Sequence, residues 1–269
     1  MTENLPHKEE QMNHQLPHST ATTGTLAPLE PGTVTLVGGG PGDPGLLTVA
    51  GLRALEQADV VLVDHLAPQD SLASCRPDCE QVWVGKLPRG EFVPQERINE
   101  LLVEHAQAGR RVVRFKGGDN FVFGRGGEEW QACAEAGIAV RIIPGVTSSV
   151  AAPALAGIPV THRSMVQGFT VVSGHVPPGD PRSQLDWAAL ASTRTTLVVL
   201  MGVKYLPQIV AELQTHGMDP ATPVAVVAKA GHPDMRQVRG SLADIAELAQ
   251  QVTPPAVTVI GEVAGLVWG

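Results

Sequence analysis

The sequence has few cysteines, no excess of positive charge and no long apolar run. Its odd, sparse set of cysteines (Cys75, Cys79 and Cys133) is typical of reduced cytosolic thiols and not of a disulfide framework. No second cysteine pair or zinc-type histidine spacing accompanies them, so we expect no metal site. No stretch approaches the ~20 apolar residues of a membrane helix, and no secretory h-region opens the chain. The net charge of -8 argues against a nucleic-acid partner. These absences predict a cytoplasmic protein.

What the chain does contain is typical of a globular protein. With 269 residues, of which 43% are hydrophobic and 17% charged, it suits one large domain or two smaller ones. The segment Met1 to Pro31 is polar and has neither helical nor strand periodicity, which predicts a disordered extension over 1–31.

The first half repeats the order strand, loop, helix. Strands are predicted at 33–37, 59–64, 81–84, 111–116 and 139–143, with helices at 46–58 and 94–108. This order predicts a mostly parallel sheet, in which ligands bind beyond the carboxyl ends of the strands. Polar residues follow those ends at Asp43, Asp64, Lys86, Asp119 and Thr147.

The second half carries its own strands, at 169–172, 196–200, 224–228, 237–239 and 257–260. Helices are predicted at 205–215 and 242–250, and the close spacing of the last strands favours a mixed sheet. A segment punctuated by proline and glycine, Ala151 to Arg163, connects the halves. The prediction is therefore two α/β domains, at 32–160 and 161–269, with a cleft between them.

Two glycine-rich loops lie in the first half. The loop Gly117 to Glu129 sets Asp119, Arg125 and Glu128 among glycines that let the backbone approach a ligand, although such a loop also serves as a mobile surface cap. The earlier loop contains Gly40-x-Gly42-x-x-Gly45, the dinucleotide fingerprint, which leaves an NAD-linked oxidoreductase as an alternative.

Two prolines in the earlier loop argue against that alternative. Pro41 and Pro44 have no N–H to offer a pyrophosphate, so the loop suits a ligand without phosphates.

Several motifs together resemble one family, the tetrapyrrole methylases. They are Gly-Gly-Gly-Pro-Gly-Asp-Pro-Gly (38–45), Val-Asp-His-Leu (63–66), Val-Gly-Lys (84–86), Gly117 to Glu129, Pro-Gly-Val-Thr-Ser-Ser (144–149) and Gly-Ile-Pro-Val-Thr-His-Arg (157–163). The resemblance implies S-adenosylmethionine as methyl donor and a homodimer with its active site in the cleft. It also implies two methylations of uroporphyrinogen III, at ring positions 2 and 7, giving precorrin-2 for sirohaem or cobalamin synthesis. A methylase of a later precorrin and a non-catalytic module that binds a tetrapyrrole or a nucleoside remain alternatives.

The resemblance also assigns residues. It implies Asp64 as proton acceptor, Lys86 as proton donor, and Arg125, Glu128 and Arg163 as substrate-binding residues. The implied donor pocket comprises Pro41, Gly117, Gly118, Asp119, Val122, Thr147, Ser148, Met201 and Ala230. A sulfonium cation calls for carboxylates and other acceptors, and a substrate rich in carboxylates calls for cations. Cations on or beside the motif loops are Arg89, Arg114, Lys116, Arg125 and Arg163.

Three positions depart from the family pattern. Asn120 stands where the family usually has proline, which predicts a looser glycine loop. Val63 stands where a tyrosine is common, and the segment from Ala230 to Arg236 replaces a more usual Thr-Thr-Pro-Glu-Gln pattern.

Overall fold

The computed structural model describes residues 26–85 and 93–268. These residues form two five-stranded sheets, each covered by helices on both faces. The first sheet is wholly parallel and the second is mixed, so the predicted fold of two α/β domains is confirmed.

The first sheet has the strand order β3-β2-β4-β1-β5. Its strands are β1 (Val34–Gly38), β2 (Val60–Val63), β3 (Glu80–Trp83), β4 (Val112–Lys116) and β5 (Val140–Ile143). Strands β1, β2 and β4 are buried along their whole length, as expected for the apolar runs of a parallel sheet. Parallel pairing brings the carboxyl ends of all five strands to one edge.

Helices cover both faces of this sheet. Helix α1 (Val49–Gln57) and a 3₁₀ helix (Gln69–Ser74) lie on one face, and α2 (Gln95–Gln107) and α3 (Gly126–Glu135) lie on the other. Successive side chains of a strand point to opposite faces, so β2 sends Val61 and Val63 toward α1 but Val60 and Leu62 toward α2.

The second sheet has the order β6-β7-β10-β8-β9, in which only β6 and β7 pair in parallel. Its strands are β6 (Phe169–Ser173), β7 (Thr196–Leu200), β8 (Pro223–Ala228), β9 (Arg236–Ser241) and β10 (Ala256–Ile260). The helices in this half are α4 (Ser148–Leu155), α5 (Trp187–Ser192), α6 (Leu206–Thr215) and α7 (Ile245–Leu248).

Helix α4 precedes the predicted domain boundary at residue 160, yet it packs against β7, β8 and β10. Its buried Ala152 joins the apolar cluster formed by Val198 and Val259 of the second sheet. By packing, α4 belongs with the second sheet, which moves the crossing between the domains toward Thr147.

The end of the predicted disordered extension also packs against the first domain. Residues 1–25 lie outside the described part of the chain, but Leu29 is buried and its N–H donates to Gln57 Oε1 at 3.0 Å. Arg141 Nη1 donates to the carbonyl of Ala27 at 2.6 Å. The part of the chain that packs against the first domain therefore begins before Gly32. None of the helices in residues 26–85 and 93–268 is long and apolar enough to cross a bilayer.

Candidate active site

Three loops meet at the carboxyl edge of the first sheet with their backbones in contact. Gly40 and Gly118 exchange hydrogen bonds, with N···O distances of 3.1 and 2.7 Å. A Cβ atom on Gly38 would lie 2.5 Å from the nitrogen of Gly145 and 2.8 Å from the oxygen of Gly118. A side chain at Gly38 would force these backbones apart, so glycine is required for the loops after β1, β4 and β5 to form one packed rim.

Asp119 holds this rim together through its carboxylate. Oδ1 accepts from the N–H groups of Phe121 and Val122 at 2.9 and 3.3 Å, and Oδ2 accepts from the N–H of Gly145 at 3.2 Å. The carboxylate that was predicted to meet the donor thus also ties the loop after β4 to the loop after β5.

Asn120 fastens the rim as well. Its side chain is fully buried, and Nδ2 donates to the carbonyls of Leu36 in β1 and Ile143 in β5 at 3.3 and 2.9 Å. Asparagine at this position was expected to loosen the glycine loop. The structure shows the opposite, because the amide bridges two strands with hydrogen bonds that a proline cannot make.

A cavity of about 480 Å³ opens beside this rim, between the two sheets. Its walls are mostly apolar and come from both domains. The first domain contributes Pro41, His65 and Leu66, and α4 contributes Ser148 and Ala152. The rest of the second half contributes His175, Leu200, Met201, Val203, Lys204, Tyr205, Val227, Ala230, Pro254, Pro255, Ala256 and Val257. The cavity therefore occupies the predicted cleft.

Four of the nine predicted donor residues, Pro41, Ser148, Met201 and Ala230, line this cavity. Three others lie in the adjoining loops: Gly117 lies close to Leu66, Gly118 bonds to Gly40, and Thr147 is the N-cap of α4, accepting from the N–H of Ser149 at 3.3 Å. Val122 lies in the same loop as Asp119 and is 36% exposed.

Sequence reasoning missed several lining residues, among them His65, His175, Lys204 and Tyr205. His65 stood within the motif Val-Asp-His-Leu, and Lys204 and Tyr205 follow Met201 by a few positions. Lys204 Nζ lies 4.9 Å from the centre of the Tyr205 ring, a cation–π contact.

Two residues after strands of the second sheet have a left-handed backbone: Met201, which lines the cavity, and Lys229, which precedes the lining residue Ala230. Met201 (φ 60°) follows β7 and Lys229 (φ 52°) follows β8, both at positions where a side chain is disfavoured. Strain of this kind, about 1–3 kcal/mol per residue, concentrates at functional sites. Met201 is thus a lining residue with a strained backbone.

Asp64 follows β2, next to the lining residues His65 and Leu66. Its backbone N–H donates to the carbonyl of Phe115 at 2.9 Å, and its Oδ1 accepts from the N–H of His65 at 2.9 Å. In the part of the chain that the structure describes, the other carboxylate oxygen has no hydrogen-bond donor. Lys86, the predicted proton donor, lies outside the described residues, as does Arg89.

The three predicted substrate-binding residues are exposed. Arg125, which has φ 57°, precedes α3, and its Nε lies 3.0 Å from Glu128 Oε1, with both side chains more than half exposed. This hydrogen bond is the main cause that lowers the pKa of Glu128. Arg163 is exposed, and its side chain makes no hydrogen bond or ion pair to any described residue.

Arg114 and Lys116 do not line the cleft, contrary to their candidacy as substrate-binding cations. Both are buried in β4 and bond to the fully buried carboxylate of Glu129. Strand β4 is covered by α2 and α3, so these side chains point into the protein and not toward solvent. Within residues 26–85 and 93–268, no group of three or more His, Cys, Asp or Glu side chains is placed to hold a metal ion.

Residues 33–246 match the family of Tetrapyrrole (Corrin/Porphyrin) Methylases. The chain belongs to this family, and the glycine-rich motifs at 38–45, 117–129 and 144–149 that suggested it build the rim.

Among curated proteins, the chain is similar to siroheme synthases. It is 50% identical over 236 residues to siroheme synthase 1 of Yersinia pseudotuberculosis, which covers 87% of this chain and 49% of that protein. It is 49% identical over 235 residues to siroheme synthase of Neisseria meningitidis, covering 87% of this chain and 48% of that one. The chain thus spans about half the length of these relatives.

Among solved structures, the chain is similar to uroporphyrin-III C-methyl transferase from Thermus thermophilus in complex with S-adenyl homocysteine. The identity is 42% and the TM-score 0.75, with 87% of this chain and 100% of that one covered. Cobalt precorrin-4 methyltransferase has a TM-score of 0.77 at 28% identity, with 87% and 96% covered.

Proposed function

We propose that this chain is a methyltransferase that uses S-adenosylmethionine to methylate uroporphyrinogen III twice, at ring positions 2 and 7. The product is precorrin-2, an intermediate for sirohaem or cobalamin synthesis. The observation that carries the proposal is the cavity between the sheets, because residues from both domains predicted to hold the donor line it together. The full-length likeness to the Thermus thermophilus enzyme supports the same substrate.

The residues around the cavity fit the proposed donor. Apolar walls suit an adenosine ring and a thioether chain, and Pro41 and Pro44 have no N–H group to offer a phosphate. The bound donor supplies an electrophilic methyl group on a sulfonium. Around it, Asp119 fixes the rim, and Met201 and Ala230 shape the opposite wall.

The substrate side is built from exposed charged groups. Arg125 and Arg163 can each form charge-assisted hydrogen bonds to substrate carboxylates, since both guanidinium groups are open to solvent. Asp64 has a carboxylate oxygen without a donor among the described residues and adjoins the cavity. We propose that Asp64 accepts the proton that leaves the pyrrole carbon after methylation and that Lys86 is the proton donor.

A methylase of a later precorrin is the main alternative. Fold likeness does not separate the two activities, because the TM-scores to the two kinds of enzyme differ by little. The identity does separate them, since it falls from 42% to 28%. We therefore favour uroporphyrinogen III.

The decisive experiment incubates the purified chain with S-adenosylmethionine and anaerobically generated uroporphyrinogen III. We expect two added methyl groups by mass spectrometry, together with the absorbance of the product. Calorimetric titrations with S-adenosylhomocysteine and NAD run beside it, and we expect binding of the first alone. Donor binding without methyl transfer would favour a non-catalytic module, and methylation only of a later precorrin would favour the sister activity.

We further propose that the chain acts as a homodimer in the cytoplasm. The exposed apolar side chains of Val150 and Leu155 on α4, with Trp268 near the end of the chain, offer an apolar surface for a second copy. Cys75, Cys79 and Cys133 are free thiols, which suits a reducing compartment. Light scattering after size-exclusion chromatography tests the dimer, and a mass near 28 kDa, that of one chain, would contradict it.

A further inference from the structure

The cavity between the sheets has an uneven distribution of charge. Among its lining residues in the described part of the chain, none is an aspartate or a glutamate, whereas Lys204 is a cation and His65 and His175 are imidazoles. The other lining residues are apolar, apart from Ser148 and Tyr205. These walls therefore offer a ligand positive charge, in a chain whose net charge is -8.

Lys204 is held at the wall without being neutralised. It lies in a 3₁₀ helix (Val203–Tyr205) that follows Met201, and the N–H of Tyr205 donates to the carbonyl of Gly202 at 3.0 Å. Its Nζ lies 4.9 Å from the centre of the Tyr205 ring, whose face attracts the ammonium group but does not cancel its charge. Within residues 26–85 and 93–268, no carboxylate forms an ion pair with Lys204.

His175 is a second polar group of the same wall. Ser173 Oγ lies 2.9 Å from His175 Nδ1, which orients the ring and leaves Nε2 with no hydrogen-bond partner among the described residues. Asp180, the acid nearest to it in the sequence, is itself bound by Arg182, with Nε and Nη2 at 2.9 and 2.7 Å. When Nδ1 accepts from the serine hydroxyl, Nε2 carries the proton and is able to donate to an anion.

The anion that these groups suit is a carboxylate. Both proposed ligands carry this group, the methyl donor on its amino-acid end and the tetrapyrrole on its side chains. Lys204 follows Met201, a proposed donor residue, so an ammonium group stands beside the part of the cavity assigned to the donor. A carboxylate in a mostly apolar cavity is costly unless a cation or a hydrogen-bond donor accompanies it.

We propose that Lys204 is a further binding residue of this cavity, whose ammonium group pairs with a carboxylate of the bound ligand, with His175 as a second donor. This inference rests on the proposed function for the identity of the ligands. Arg125 and Arg163, the exposed cations assigned to the substrate, are not among the residues that line the cavity. Of the described lining residues, Lys204 is the only lysine or arginine.

The test uses two ligands that differ only in a carboxylate. S-adenosylhomocysteine and its decarboxylated analogue share the adenosine, the thioether and the amino group, so the difference between their affinities isolates the carboxylate. Each ligand is titrated calorimetrically into the wild type, Lys204→Met and the charge-retaining variant Lys204→Arg. Uroporphyrinogen III is then titrated anaerobically into the same proteins with S-adenosylhomocysteine bound.

The matched control is Arg194→Met. Arg194 is exposed and lies at the other end of β7, so this variant changes the net charge equally, away from the cavity, and should alter none of the affinities. Circular dichroism checks the fold of each variant, and Lys204→Gln replaces Lys204→Met if the latter does not fold. Failure of both to fold would show a structural role and overturn the inference.

The expected result depends on which ligand supplies the carboxylate. If it is the donor, Lys204→Met should lower the affinity for S-adenosylhomocysteine by about 10-fold or more and leave that for the decarboxylated analogue unchanged. If it is the substrate, the affinity for uroporphyrinogen III should fall by a similar factor and that for S-adenosylhomocysteine should persist. In both cases Lys204→Arg should recover most of the loss, and His175→Ala should give a smaller loss for the same ligand.

Unchanged affinities for all three ligands in Lys204→Met, or equal losses for S-adenosylhomocysteine and its analogue, would overturn the inference. The titrations need no turnover, so they decide the role of Lys204 separately from the proposed function. That function fails if the wild type adds no methyl group to uroporphyrinogen III. A wild type that binds none of the three ligands would overturn both.

Discussion

Two aspartates flank the same strand and have opposite surroundings. Asp59 precedes β2, and its carboxylate accepts from Arg111 Nη2 and Nε, from Arg76 Nη2 and from the N–H of Arg111, at 2.6 to 2.9 Å. Asp64 follows β2, and its carboxylate accepts from the N–H of His65 alone among the described residues. One carboxylate is saturated by donors of its own chain, and the other remains open beside a cavity.

The difference follows from the direction of the strands. At the amino edge of the first sheet, the turns bring arginines to a carboxylate, and the resulting ion pairs fasten the chain. At the carboxyl edge, the glycine loops satisfy one another through the backbone and leave Asp64 available. In a parallel sheet, residues that act on a ligand therefore lie at the carboxyl edge. Ion pairs that stabilise the fold can lie at the amino edge.

Replacement of Asp64 tests the carboxylate at the carboxyl edge, and of the predicted effects its effect on turnover should be the largest. Asparagine still accepts a backbone hydrogen bond but cannot act as a base, so we expect Asp64→Asn to lower turnover by roughly 10²–10⁴-fold. Melting temperature and donor affinity should stay near the wild type. Full activity in this variant would show that the proton leaves by another route.

Replacement of Asp59 tests the carboxylate at the amino edge, which is bound by Arg111 and Arg76. We expect Asp59→Asn to lower the free energy of unfolding at pH 7 by roughly 1.5–3 kcal/mol, since charge-assisted hydrogen bonds to two arginines are weakened. Donor affinity of the folded variant should be unchanged. A stable variant with impaired donor binding would reverse the roles given to the two aspartates.

The same pair predicts a pH dependence. Hydrogen bonds from Arg111 hold the pKa of Asp59 well below its usual range in the folded chain. A lowered carboxylate pKa contributes stability above the unfolded value of about 3.9, and this contribution is lost as the pH falls below it. Urea unfolding should therefore show a difference between wild type and Asp59→Asn that is full at pH 7 and shrinks below about pH 4. A constant difference down to pH 2 would contradict this account.

Arg163 extends the comparison from carboxylates to cations. Arg111 is bound to Asp59, whereas Arg163 has no partner among the described residues and is free for a ligand. We expect Arg163→Ala to weaken substrate binding by about one to two powers of ten, through the loss of a charge-assisted hydrogen bond worth roughly 1.5–3 kcal/mol. Titration with S-adenosylhomocysteine, expected to be unaffected, is the control. Equal loss for both ligands would indicate a structural role.

Met201 tests the opposite wall and should give the smallest effect. Glycine accepts the left-handed backbone without strain, so we expect Met201→Gly to stabilise the protein by roughly 0.5–1 kcal/mol after the entropy cost of glycine. Donor affinity should fall, because the side chain lines the cavity. Met201→Leu, which keeps bulk and strain, is the matched control. If Met201→Gly lowers both the stability and the donor affinity, the left-handed backbone at Met201 does not cost the fold stability, and the prediction is wrong.

Sequence patterns predicted the strands and their carboxyl ends because both depend on local order. The apolar run at 59–64 and the glycines after 116 each predict their element and its carboxyl end without knowledge of neighbours. The predicted helix at 242–250 was too long, since it is confined to Ile245–Leu248. There Asp244 Oδ1 accepts from the N–H and hydroxyl of Ser241, at 2.7 and 3.0 Å, and forms a turn before the helix starts.

Pairing across the sheet could not be predicted from the sequence. Arg114 and Lys116 alternate with apolar residues in β4 and have the composition of a solvent-facing stripe, yet a carboxylate from α3 buries them. Asn120 is polar in a polar loop, and only the approach of β1 and β5 gives its amide two carbonyls. Asp59 and Asp64 are equivalent in the sequence until the strand direction and the distant Arg111 distinguish them.

The close backbone contact of Gly38, Gly118 and Gly145 has a consequence for how this protein can be redesigned. Because even one methyl group at Gly38 would collide with two neighbouring backbones, this rim offers no room for gradual change by substitution. New substrate preferences have to come from other positions with exposed side chains and an ordinary backbone, such as Phe121, which is 48% exposed. A directed-evolution library should hold the three glycines constant and randomise Phe121.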